Sequence, residues 1–178
     1  MPPTATTITI NRAPVLTLWA AVVAKRLGFS WPEALSLGKA LAGLNAQAKG
    51  RRLGIFKPHE EHATKARRKP HAEEFRIEIC GRPVPATNTP EGIRAVKGTQ
   101  VVSPESCAAY LERTFGGALE PARNAMEELA RAYKPTELAL EAFGLYEKFR
   151  PKVPDGVKGW GAKGVLDLQR VRRLAARG

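Results

Sequence analysis

Val15 to Ala24 reads VLTLWAAVVA, ten residues whose only polar side-chain groups are the Thr17 hydroxyl and the Trp19 indole N–H. A helix built on this stretch is apolar on nearly every face, so it cannot lie on a surface and must be wrapped by the rest of the chain. Pro14 suits a first helical turn, and Gly28 supplies a stop, so the pattern predicts a helix from Pro14 to Leu27. The stretch is too short to cross a bilayer and runs straight into Lys25 and Arg26. Residues 1–10 lack a basic region followed by a long apolar one, so no secretory leader is expected there. The requirement is for a globular protein with one central helix and no membrane partner.

The elements that must cover this helix are marked by their punctuation. Ser30-Trp31-Pro32-Glu33 has the residues of a capping box, and it predicts a second helix to about Lys49 with Ala34, Leu37, Leu41, Leu44 and Ala48 inward. Gly38 and Gly43 within it permit close helix packing at some cost in helix propensity. Thr6 to Ile10 is β-prone. Phe75 to Cys80 alternates apolar and polar, and a return over Ile93 to Val102 completes a hairpin whose tip holds Pro83, Pro85, Asn88, Pro90 and Gly92. Beyond Ser103-Pro104 the periodicity is helical. It aligns Cys107, Leu111 and Phe115; then, after Gly116-Gly117, Ala122, Met126, Leu129 and Tyr133; then, after Pro135, Leu138, Ala142, Leu145 and Phe149. A Gly- and Lys-rich loop and a short basic helix from about Asp167 to Arg177 close the chain. The fold class is mainly α with a small antiparallel β-hairpin, an α+β arrangement. Its N-terminal part is helix-turn-helix-like or winged-helix-like, and a C-terminal helical bundle follows. Residues 1–178 read as a single domain, with 6–102 and 103–178 as its possible subdomains.

Charge narrows the partner. Lys and Arg number 29 against 17 Asp and Glu, a net +12. Such an excess raises affinity for phosphate polymers and says nothing about fold. It is concentrated between residues 49 and 71, read as a basic loop. Lys49, Arg51, Arg52, Lys57, Lys65, Arg67, Arg68 and Lys69 face only Glu60 and Glu61 there. Each phosphate neutralised releases counterions, and Arg can give one phosphate two hydrogen bonds. Cys80 and Cys107 form no CxxC pair and are too few for a secreted disulfide scaffold. A reducing cytoplasm is the expected compartment, and the nucleoid if the partner is DNA.

Within residues 20–39, AAVVAKRLGFSWPEALSLGK, the residues Val23, Ala24, Leu27, Gly28, Phe29, Ala34 and Leu37 follow one another as small residue, apolar anchors and turn glycine. This stretch, about a ninth of the chain, resembles helix-turn-helix DNA-binding proteins. The resemblance implies that the second helix enters a major groove with Trp31, Glu33, Ser36 and Lys39 outward. It departs from the family in setting Glu33 near phosphate and in offering no Arg to guanine. The basic segment followed by a hairpin resembles a winged helix, whose wing touches the nucleic-acid backbone.

Lys158-Gly159-Trp160-Gly161-Ala162-Lys163-Gly164 contains GxGxxG, but it lacks the preceding strand and the following βαβ unit of a dinucleotide site. Its backbone N–H groups with Lys158 and Lys163 suit a phosphate, and Trp160 suits stacking on a base; the alternative role of Trp160 is to fill the core. His59, His62 and His71 lie in the basic stretch without metal-site spacing, so no metal or other cofactor is expected. No catalytic residue stands out; Glu127 and Glu128 read as a solvent face balanced by Arg123 and Arg131. The expectation is a nucleic-acid-binding protein, DNA more than RNA, with enzymatic activity left open. Two alternatives are an enzyme taking a phosphate-bearing substrate at the 158–164 loop and an adaptor docking an acidic protein. Monomer and homodimer both remain open.

Overall fold

In the computed structural model, the described residues are 7–52, 74–152 and 163–177. α1 (Arg12–Arg26) buries every residue from Pro14 to Ala24, as an all-round apolar helix must. It begins two residues before the expected Pro14. Its end is a glycine-terminated turn: Gly28 at φ +118° lets its own N–H reach Lys25 O at 3.1 Å and the Phe29 N–H reach Ala24 O at 3.1 Å.

α2 (Trp31–Arg52) opens on the expected capping box. The Ser30 N–H donates to Glu33 Oε1 at 2.9 Å, and the Glu33 N–H donates to Ser30 Oγ at 3.3 Å. Gly38 lies against α1 so closely that a Cβ there would sit 2.7 Å from Thr17 O and 2.9 Å from Ala21 N. Gly43 faces open space, so it is not a packing glycine. α2 also runs past the expected Lys49: residues 49–52 are helix, not loop. Lys and Arg are good helix formers, so their run does not itself end the helix.

Residues 75–101 form an antiparallel meander rather than one hairpin. Its strands β2 (Phe75–Ile79), β3 (Arg82–Thr89), β4 (Gly92–Lys97) and β5 (Gln100–Val101) lie in that order. Cys80 and Gly81, both at positive φ, make the two-residue turn between β2 and β3. The expected irregular tip is therefore strand β3. Pro83 and Pro85 are tolerated because both pair with β2, opposite Glu78 and Arg76, in a stretch that β4 does not reach. Being two apart, they turn their missing N–H groups to the same, unpaired side.

The remaining helices keep the expected order. α3 (Pro104–Phe115) is capped by Ser103 Oγ, which accepts from the Ser106 N–H at 3.2 Å. Gly116 turns the chain at φ +57° into α4 (Leu119–Arg131), and α5 (Pro135–Phe149) follows. A strand unforeseen from the sequence, β6 (Gly164–Asp167), begins at the last glycine of the glycine-rich stretch and leads into α6 (Leu168–Arg177). β6 pairs antiparallel with β1 (Thr7–Ile10), with Thr7 opposite Asp167 and Ile10 opposite Gly164. Gly164 is needed for space: a Cβ there would meet Lys152 O at 2.5 Å.

The architecture is thus mainly α with small antiparallel sheets. One hydrophobic cluster joins α1, α2, the meander and the C-terminal helices. At its centre, fully buried Trp19 donates Nε1–H to Ala142 O at 2.8 Å and meets the Phe149 ring edge-on at 5.3 Å.

Candidate anion-binding surfaces

The face of α2 that the helix-turn-helix resemblance sets outward is turned inward. Ser36 is fully buried; its hydroxyl donates to Val102 O at 2.7 Å and accepts from the Ala95 N–H at 2.8 Å. Glu33 Oε2 accepts from the Ile93 N–H at 2.8 Å. That bond first, and the Ser30 N–H second, hold the Glu33 carboxyl below its ordinary pKa. Lys39 lies 3.7 Å over the Tyr110 ring, and burial lowers its pKa. Trp31 is covered by the Arg123 guanidinium at 3.8 Å, with Lys25 5.9 Å from the ring centroid. The meander, α3 and α4 thus occupy the four positions expected to face a groove. Residues 20–39 do span two helices, α1 and α2; which face of α2 is covered depends on β4 and α3, which are distant in sequence.

The basic residues singled out from the sequence are placed only in part. Lys49, Arg51 and Arg52 lie in the closing turns of α2, and Lys163 is exposed just before β6. Lys57, Lys65, Arg67, Arg68, Lys69, Lys158 and Trp160 lie outside the described residues, as do His59, His62 and His71.

A second group of cations, not singled out by the sequence, surrounds a cleft of about 190 Å³ where the β1–β6 pair meets the end of α5 and the start of α6. Thr7, Phe149 and Val165 line it together with Arg150, Lys152, Arg170 and Asp167. The segment is fixed by its backbone: Lys152 N–H donates to Val165 O at 3.3 Å, and Val165 N–H to Lys152 O at 3.2 Å. Behind it, Arg12 Nε donates to Pro151 O at 2.9 Å. Burial, and then the charge of Arg150, lower the Arg12 pKa, so these two cations repel one another. The cleft's carboxylate, Asp167, is engaged elsewhere. Its Oδ1 accepts from the Gln169 N–H at 3.0 Å, and its Oδ2 lies 3.7 Å from Arg173 Nη2. Among the described residues no carboxylate pairs with Arg150, Lys152 or Arg170. The only sequence signal was the Arg-Pro-Lys run at residues 150–152, and nothing local connects it to Arg170.

A cleft of about 230 Å³ beside α1 and α4 differs in that its cations are partly paired. There Glu127 lies 2.6 Å from Arg123 and 3.9 Å from both Lys25 and Arg131, while Arg26 donates to Tyr133 O at 2.9 Å. Lys25, Arg123 and Arg131 share the one carboxylate, Glu127, which includes the expected pairing with Arg123 and Arg131, and the cleft keeps a net positive charge.

Neither thiol is a ready nucleophile. Cys80 and Cys107 are free and buried, and burial pushes them up to about 12 and about 11. Among the described residues no group of three or more His, Cys, Asp or Glu could hold a metal ion, and no helix is long and apolar enough to cross a membrane. Compared with models of known protein families, with curated proteins and with solved structures, the chain matches none.

Proposed function

We propose that the protein binds nucleic acid, DNA in preference to RNA, by holding backbone phosphates with its basic segment. It acts in the cytoplasm, on the nucleoid, as a regulator or an architectural factor. The carrying observation is unneutralised positive charge. The chain has a net +12, and ion pairs between described residues gather on only two carboxylates, Glu127 and Asp167. The segment from Lys49 to Lys69 supplies half of the excess, with eight cations against two carboxylates. α2 carries the first three of these cations at the end of a 22-residue helix. The preference for DNA over RNA rests on the helix-turn-helix resemblance of residues 20–39 in sequence alone, since the α2 face that would enter a groove packs inward. The inward packing of Ser36 and Glu33 supports the architectural form of the reading, because binding through phosphates needs no base contacts from α2.

The test is anisotropy of labelled duplex DNA, single-stranded DNA and RNA at two salt concentrations. Each phosphate neutralised on duplex DNA contributes about −0.9 to the slope of log affinity against log salt. Arg51→Glu with Arg52→Glu should reduce the magnitude of that slope by about 2 and weaken all duplex sequences alike. Unchanged affinity and slope in this variant, or no binding by the wild type at low salt, would remove the assignment.

A further inference from the structure

We propose that the cleft lined by Arg150, Lys152 and Arg170 is a binding site for a phosphate monoester, separate from the basic segment on which the nucleic-acid reading rests. Three observations carry it. Its three lining cations come from different places in the fold, the end of α5, the Lys152 bridge to β6 and the first turn of α6, and converge on one space. None has a carboxylate partner among the described residues, and Asp167 is already committed to Gln169 and Arg173. Behind them Arg12, held on Pro151 O, adds a fourth positive charge. Placing like charges together costs free energy, which an anion between them returns.

Size and shape select the ligand class. At about 190 Å³ the cleft is smaller than the roughly 300 Å³ at which sites for drug-sized ligands begin. It therefore takes the charged end of a ligand rather than a whole nucleotide. A terminal phosphate concentrates close to two negative charges on three acceptor oxygens, whereas an internal diester carries one. The Arg150 and Arg170 guanidinium groups can each give a phosphate two parallel hydrogen bonds, and Lys152 adds a point charge. Two sources share this chemistry: the phosphorylated end of a nucleic-acid strand and a small phosphate ester.

The experiment uses the full chain and one single-stranded oligonucleotide labelled at its 3′ end, carrying either a 5′-phosphate or a 5′-hydroxyl. Calorimetric titration with inorganic phosphate runs in parallel. If the site serves strand ends, the 5′-phosphate form binds about tenfold tighter, the effect of one or two charge-assisted hydrogen bonds. Arg150→Gln with Arg170→Gln then abolishes the difference while leaving the 5′-hydroxyl affinity in place. If the source is a small ester, inorganic phosphate binds and the same variant removes it, with no preference between the two strands. The proposal is overturned if the wild type shows neither a 5′-phosphate preference nor phosphate binding, or if either survives in the double variant. Should that variant fail to fold by circular dichroism, Lys152→Gln, at an exposed side chain, must weaken whichever signal the wild type gives, and an unchanged signal overturns the proposal. Failure of the nucleic-acid reading is distinguishable, since it removes 5′-hydroxyl binding while inorganic phosphate still reports on the cleft.

Discussion

The polar face of α2 and the cations of the α5–α6 cleft differ in where their polar atoms find partners. On α2, Ser36 serves two backbone groups of other elements, and Glu33 caps its own helix while accepting the Ile93 N–H. In the cleft, Arg150, Lys152 and Arg170 pair with no carboxylate among the described residues, and Arg12 feels the charge of Arg150 as repulsion. A buried polar group that is satisfied fixes one packing arrangement. A cluster of like charges left unsatisfied does not help the fold, so its use lies outside it. The first region serves stability and the second is the proposed binding site, and substitutions should separate the two.

The largest effect is expected at Ser36. Ser36→Ala leaves the buried Ala95 N–H without its acceptor and Val102 O without its donor. At about 1–3 kcal/mol for each group, the loss should be about 3 kcal/mol in urea denaturation. A loss below about 1 kcal/mol would mean that water replaces the hydroxyl and that α2 is not clamped to the meander. Its face would then be available to a groove after all.

The same comparison shows what the chain makes legible. Features set by neighbours in sequence were readable: the Ser30–Glu33 box, the Gly28 and Gly116 stops, and the buried stripe of Leu138, Ala142, Leu145 and Phe149. Each depends on residues within a few turns of one another. Features set by distant partners were not. β6 is four residues long, and its strand character comes from pairing with β1, over 150 residues earlier. β3 carries two prolines that local rules assign to a turn, and only the register with β2 makes them harmless. The cleft assembles Arg150 and Arg170 across β6, and spacing along the chain gives no sign of it.

Gly38 tests how tightly α2 is held on its opposite side. Gly38→Ala places a methyl group 2.7 Å from Thr17 O, an atom of the α1 backbone that cannot rotate away. A loss of about 2 kcal/mol is expected, typical of overpacking between close elements. A gain in stability, as helix propensity alone dictates, would show that the two helices can separate, and it would weaken the case that α2 is rigidly seated.

Glu33 should contribute less, and its contribution should depend on pH. Its folded carboxyl titrates below the ordinary value, chiefly through the Ile93 N–H. A depressed carboxyl stabilises the fold fully above its unfolded pKa, and the benefit disappears as pH falls through the folded one. Glu33→Gln keeps an acceptor oxygen but loses the charge, so it should cost about 1 kcal/mol at pH 7. The gap between variant and wild type should close as pH falls from about 5 to below the folded pKa. A gap of constant size down to pH 2.5 would assign the cost to packing rather than to the ionised carboxylate.

The smallest effect on stability is expected in the cleft. Arg150→Gln removes no hydrogen bond or ion pair among the described residues, and it relieves repulsion on Arg12. Urea midpoints should place the variant within about 0.5 kcal/mol of the wild type, and more stable if the repulsion dominates. Phosphate in the buffer should reverse that order, because an anion that binds only the folded wild type stabilises it by mass action and leaves the variant unmoved. A marked loss of stability in phosphate-free buffer would show instead that Arg150 holds the α5–β6 junction together. Its positive charge would then be a structural requirement of the same kind as the polar face of α2.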